Sequence, residues 1–68
     1  MARTTGYVTT GYIIIKASRR GAVIPYAGIS CVAAGVEPGK FYTFREEAEG
    51  DAKKLSKVNP VGFEVVKV

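Results

Sequence analysis

The densest group of residues able to do chemistry is Ala34-Gly35-Val36-Glu37-Pro38-Gly39-Lys40-Phe41. A small residue, four others and then Gly-Lys is the spacing of a relaxed phosphate-binding loop. Two features break the match. Phe41 stands where a Ser or Thr would hold magnesium, and Pro38 lacks one of the N–H groups that such a loop aims at phosphate. The parallel-sheet domain that carries the motif also needs a far longer chain. Glu37-Pro38-Gly39-Lys40 therefore reads as a turn, with proline presetting φ and Gly39 taking the positive φ.

The remaining inventory argues against catalysis. There is no histidine, so neither a Ser–His nor a Cys–His arrangement exists. Cys31 is the only cysteine, which excludes a disulfide within one chain and makes a zinc site remote. With no basic neighbour in sequence it reads as an inert core thiol, and a lone thiol fits a reduced, cytoplasmic setting. Glu46, Glu47, Glu49 and Asp51 lie on a predicted helix and Glu37 in a turn. Glu64 sits among apolar residues in the last predicted strand, where only burial would raise its pKa and make it chemically interesting. A solvated Glu64 is expected. No catalytic residue, metal ligand or cofactor is expected, and the chain is not read as an enzyme.

Binding is the better-supported class. Arg19 and Arg20 are expected at a hairpin tip, with Lys16 just before them and Lys40 on the other predicted turn. A guanidinium can grip a phosphate or a carboxylate with two hydrogen bonds. Tyr12 and Tyr26 add aromatic faces to this candidate partner-binding set, and stacking on such faces is how single-stranded nucleic acid is held. The net charge of +4 and pI near 9.5 suit an anionic partner, but they suit ordinary solubility equally. No aromatic–basic RNA-binding signature is present, and the first half of the one predicted helix is acidic.

At 68 residues the chain has room for one domain, residues 1–68, with 1–6 expected to be a disordered N-terminal segment. Apolar residues make up 47% and charged residues 24%, a globular balance. Residues 7–17 read as a first strand, and Ile13-Ile14-Ile15 is apolar on both faces, which places it centrally or under cover on both sides. Ser18-Arg19-Arg20-Gly21 reads as a turn. Residues 22–34 read as a second strand with Pro25 on an edge or at a bulge, and Phe41-Tyr42 as a short third.

A helix then begins near Thr43, where Thr43 and Glu46 have capping-box spacing. Its acids come first and Lys53, Lys54 and Lys57 last, matching the helix dipole. Phe44, Ala48, Ala52 and Leu55 form one narrow apolar stripe, and Asn59-Pro60 ends the helix. Residues 61–68 read as the last strand. The small-residue tract 27–35 is expected to let the helix approach the sheet closely. Thr4-Thr5-Gly6-Tyr7 recurs as Thr9-Thr10-Gly11-Tyr12, at an odd offset that turns the two tyrosines to opposite faces, so it reads as a chance echo.

The expected architecture is α+β: a small antiparallel sheet of three to four strands with one helix packed on one face, in the order β-β-β-α-β. One helix covers one face only. Ile13 and Ile15, with Val66 and Val68, are therefore expected on an open apolar face, and two copies are expected to pair into a homodimer through that face or through an edge strand. The leading functional expectation is a protein-binding module, of the kind phage and mobile elements use to block a host factor. A nucleic-acid-binding module using the basic hairpin tip comes second, and a small-ligand or nucleotide binder at a dimer cleft third. The N-terminus lacks a continuous apolar run, and the charge-free stretch 21–36 is shorter than the ~20 residues of a membrane helix, so no membrane is expected.

Overall fold

Three consecutive isoleucines form the centre of the fold. A computed structural model describes residues 11–21 and 23–68. The expectations for residues 1–6, for the first strand at 7–10, for the Thr-Thr-Gly-Tyr echo and for Ala22 lie outside the described residues. Strand β1 (Tyr12–Lys16) pairs antiparallel with β2 (Phe63–Lys67), with Ile14 opposite Val65. The ladder continues one step, because Gly11 and Val68 exchange hydrogen bonds of 3.3 and 2.9 Å. The other edge of β1 is also occupied. Tyr12 and Tyr42 exchange bonds of 2.9 and 2.8 Å, and the Tyr26 N–H donates to the Ile14 carbonyl at 2.7 Å. With neighbours on both sides, Ile13, Ile14 and Ile15 are all buried. Of the two placements expected for the run, central in the sheet or covered on both faces, its burial fits the second, since a two-stranded sheet has no central strand.

The domain is a small α+β unit, but its sheet has two strands among the described residues, not three or four. Their order with the helices is β-α-α-β. Tyr42 makes one isolated bridge in place of a third strand, because the chain bends at Thr43 and Phe44 and enters the main helix three residues later. The second expected strand is absent among the described residues. A short 3-10 turn (Ala17–Arg19) leads into Arg20 and Gly21, and residues 23–28 run irregularly past the β1 edge.

Residues Ser30–Ala34 then form helix α1. Its C-terminus explains why a strand was the wrong expectation. Gly35 adopts φ +72° and donates to the Val32 carbonyl at 3.2 Å, while the Val36 N–H reaches back to the Cys31 carbonyl at 2.9 Å. This is a Schellman closure, and its characteristic apolar contact is supplied by Cys31 and Val36 within the core. The small tract is thus mostly a helix with its own cap, which packs against the main helix instead of forming a strand beneath it.

The main helix, α2, spans Arg45–Val58. Phe44, in extended conformation, precedes it, and no side chain caps its first turn, so the Thr43–Glu46 capping box does not form. Starting later also removes Phe44 from the stripe: it is 59% exposed, while Ala48, Ala52 and Leu55 are buried. Tyr42 fills the vacated position. It is 3% exposed and its hydroxyl donates to Asp51 Oδ2 at 2.5 Å, tying the β1 edge to α2. At the far end Asn59 leaves the helix as expected. Its side chain donates to Ser30 Oγ at 3.0 Å and accepts from the Val61 N–H at 3.3 Å, joining the two helix ends.

The core between sheet and helices contains Ile14, Cys31, Val36, Tyr42, Ala48, Ala52 and Leu55, flanked by Tyr12, Tyr26, Phe63 and Val65. The Tyr26 and Phe63 rings meet at 4.9 Å, tilted by 60°. Burying one aliphatic side chain of this size contributes about 1.5–3 kcal/mol, so a core this small leaves each member important. Gly11 has a steric role: a Cβ there would lie 2.9 Å from the Tyr42 carbonyl oxygen, which is bonded to Tyr12.

Candidate functional site

The partner-binding residues expected from sequence divide between separate places. Lys16 and Arg19 come together with Tyr26 along a groove of about 290 Å³, whose other walls are Ile15, Ile24, Pro25 and Ala27. Lys16 ends β1 and Arg19 ends the 3-10 turn, so the tight turn after the strand places both cations on one rim. Pro25 reaches the groove from the irregular run beside the β1 edge, where the next residue, Tyr26, bonds the Ile14 carbonyl. The groove joins two cations to an apolar floor, and its volume lies at the lower limit of pockets that enclose a small ligand.

Arg20 belongs elsewhere. Its Nη2 lies 2.6 Å from Glu64 Oε2, with side chains 76% and 30% exposed. Glu64 is therefore half-solvated and ion-paired, and a pair this open contributes at most about 1 kcal/mol. Lys40 is separate again, with its ammonium 5.0 Å from the centre of the Tyr42 ring. Tyr12 is half-buried against the core and presents little of its ring. These basic residues form no single patch.

The expected dimer surface also changes. Strand alternation does place Ile13, Ile15 and Val66 on the face away from α2, opposite Ile14 and Val65. Ile13 and Ile15, however, are 0% and 1% exposed within the single chain, so they offer no open surface. The excursion after β1 contributes Ile24 and Pro25 beside Ile15. Val66 and Val68 remain half-exposed.

A second groove runs between α2 and β2. Arg45, Glu49, Ala52 and Lys53 line it from the helix, and Phe63, Glu64 and Val65 from the strand, with Arg20 at one end. Glu49 accepts from Arg45 Nε at 2.8 Å across one helical turn. Its floor is apolar and its rim charged.

Sequence reasoning missed the apolar residues left outside. Ile29 and Val32 are 86% and 76% exposed around α1, and Phe41 and Phe44 are 62% and 59% exposed on either side of buried Tyr42. The available signal was Ala33-Ala34-Gly35, a helix end. Helical spacing with Cys31 and Ala34 turned inward sends Val32 outward. Cys31 itself is fully buried, and burial pushes its thiol pKa up, which keeps it protonated and unreactive. Among the described residues no helix is long and apolar enough to cross a membrane. The chain matches no protein-family model, no curated protein and no solved structure.

Proposed function

We propose that this chain is a non-catalytic protein-binding module whose contact surface is built around α1. The observation that carries the reading is the placement of Ile29, at the N-cap of α1, and Val32 within it, each more than three-quarters exposed beside a helix held by the Schellman turn and the Asn59–Ser30 bond. A small chain that spends large aliphatic side chains on its surface, on a rigid element, presents a pre-formed apolar contact. Occupying a host factor in the manner of small mobile-element proteins is compatible with such a surface.

The test is affinity capture from a host lysate with the wild-type chain and an Ile29→Asp, Val32→Asp variant. A protein retained by the first and released by the second is expected. Retention of the same proteins by both, or of none by either, refutes the reading. Both substitutions are at exposed sites, so circular dichroism should show the variant folded.

The Lys16–Arg19 groove favours a second reading, binding of a nucleic-acid strand with phosphates on the two cations. Affinity that falls steeply with salt and weakens in Lys16→Ala with Arg19→Ala supports it. No binding at low salt removes it.

A further inference from the structure

We infer that a second copy of this chain pairs along the outer edge of β2, extending the two-stranded sheet into one four-stranded antiparallel sheet; this rests on the protein-binding reading and names one partner. Antiparallel ladders alternate, so residues that bond inward on one edge cannot also bond outward. Gly11 and Val68 form a bonded pair, and the Ala17 N–H bonds the Gly62 carbonyl at 3.3 Å. Glu64, Val66 and Val68 therefore point their backbone groups at β1. The N–H and C=O groups of Phe63, Val65 and Lys67 point away from it, and no described strand lies beyond.

The side chains along the edge are half-buried, with Lys67 exposed. No residue of β2 is buried, whereas the middle three of β1 all are. An unpaired, largely apolar strand edge is a template for another strand.

Register makes β2 its own complement. A two-fold axis at Val65 sets Phe63 against the second copy's Lys67, and Val65 against Val65. Every outward-pointing group then meets another, giving about six backbone hydrogen bonds. Glu64 falls opposite Val66, so no like charges stand directly across from one another. The groove beside β2 supplies the rest of the contact: Phe63, Val65 and Ala52 as apolar floor, with Arg45, Glu49 and Lys53 as charged rim. A chain this short, with no disulfide within it, gains the buried area that its small core lacks.

The experiment combines light scattering across a concentration series with amide hydrogen exchange read residue by residue. The expected result is a monomer–dimer equilibrium in which the amides of Phe63, Val65 and Lys67 become protected as the dimer forms. Those of Glu64 and Val66 should be protected throughout. Lys67→Pro removes an outward donor from an exposed position, leaves the β1 ladder intact, and should weaken dimerisation about tenfold or more. Circular dichroism of the dilute variant checks that it folds; if it does not, the exchange pattern of the wild-type chain decides alone.

A chain that stays monomeric at high concentration overturns the proposal, and protected outward amides in that monomer would assign the edge to a segment of the same chain. A dimer with those three amides unprotected also overturns it. Either result leaves the α1 reading standing, since that depends on the Ile29 and Val32 variant alone.

Discussion

Removing one hydroxyl tests how the two halves of the domain are tied. Tyr42 bonds to β1 through its backbone and to α2 through the Tyr42–Asp51 hydrogen bond. Tyr42→Phe keeps the ring in the core and the Tyr12 bridge, and removes the hydroxyl–carboxylate bond alone. Bonds to charged groups contribute about 1.5–3 kcal/mol. Here the Asp51 side chain is 22% exposed and Lys54 Nζ lies 3.7 Å from its other oxygen, so water and the ammonium replace part of that loss. The expected cost is about 1–2 kcal/mol, or roughly 4–16 °C in Tm for a domain of this size.

Asp51→Ala should cost about as much or more, because it leaves the buried hydroxyl without an acceptor. The double variant should cost less than the two singles combined, since both remove the same bond.

The same bond has a pH signature. Burial first, then the Asp51 hydrogen bond and its negative charge, push the Tyr42 pKa well above the ordinary tyrosine value. A raised folded-state pKa keeps the proton on the native chain while the unfolded chain releases it. The contribution is therefore complete below about pH 10 and is lost as pH rises from there toward the folded value. Thermal unfolding followed by circular dichroism from neutral to alkaline pH reads it. Wild type should lose stability faster than Tyr42→Phe above about pH 10, so the two curves approach each other. Parallel curves, with a Tm difference under about 2 °C, would show that the hydroxyl is not bonded to Asp51 in solution.

Two further outcomes follow from buried and backbone groups. The Cys31 thiol should resist a thiol-specific chromogenic reagent in the native chain and react fully in denaturant; fast native labelling would place it outside the core. Glycine-to-alanine changes should have opposite signs at Gly35 and Gly50, two sites where an added methyl group meets only open space. Gly35→Ala forces φ +72° on an L side chain and should cost about 1–2 kcal/mol, whereas Gly50→Ala, at an exposed position in the middle of α2, should gain about 0.5–1 kcal/mol. Shifts in Tm of the same sign at both sites would refute the backbone assignment.

Local chemistry alone determined a good part of this protein. The isoleucine run demanded cover on both faces, and Gly39 and Gly21 took the positive φ their turns required. The order of acids and lysines, the Ala48/Ala52/Leu55 stripe and the Asn59-Pro60 stop described α2, because each depends on neighbours within a few residues. Only the tertiary structure decided the rest. Cys31 and Val36 had to meet a core before 30–36 could close as a capped helix, which apolar content alone left indistinguishable from a strand. Tyr42 entered the core and Phe44 stayed outside it, with the Tyr42 hydroxyl bonded to Asp51 nine residues on and α2 starting only after Phe44. Lys16 and Arg19 shared a groove while Arg20 left for Glu64. Ile13 and Ile15 ended buried, moving the candidate contacts to α1 and the β2 edge. Burial and edge pairing are sums over residues distant in sequence, and that is why the folded chain alone sets them.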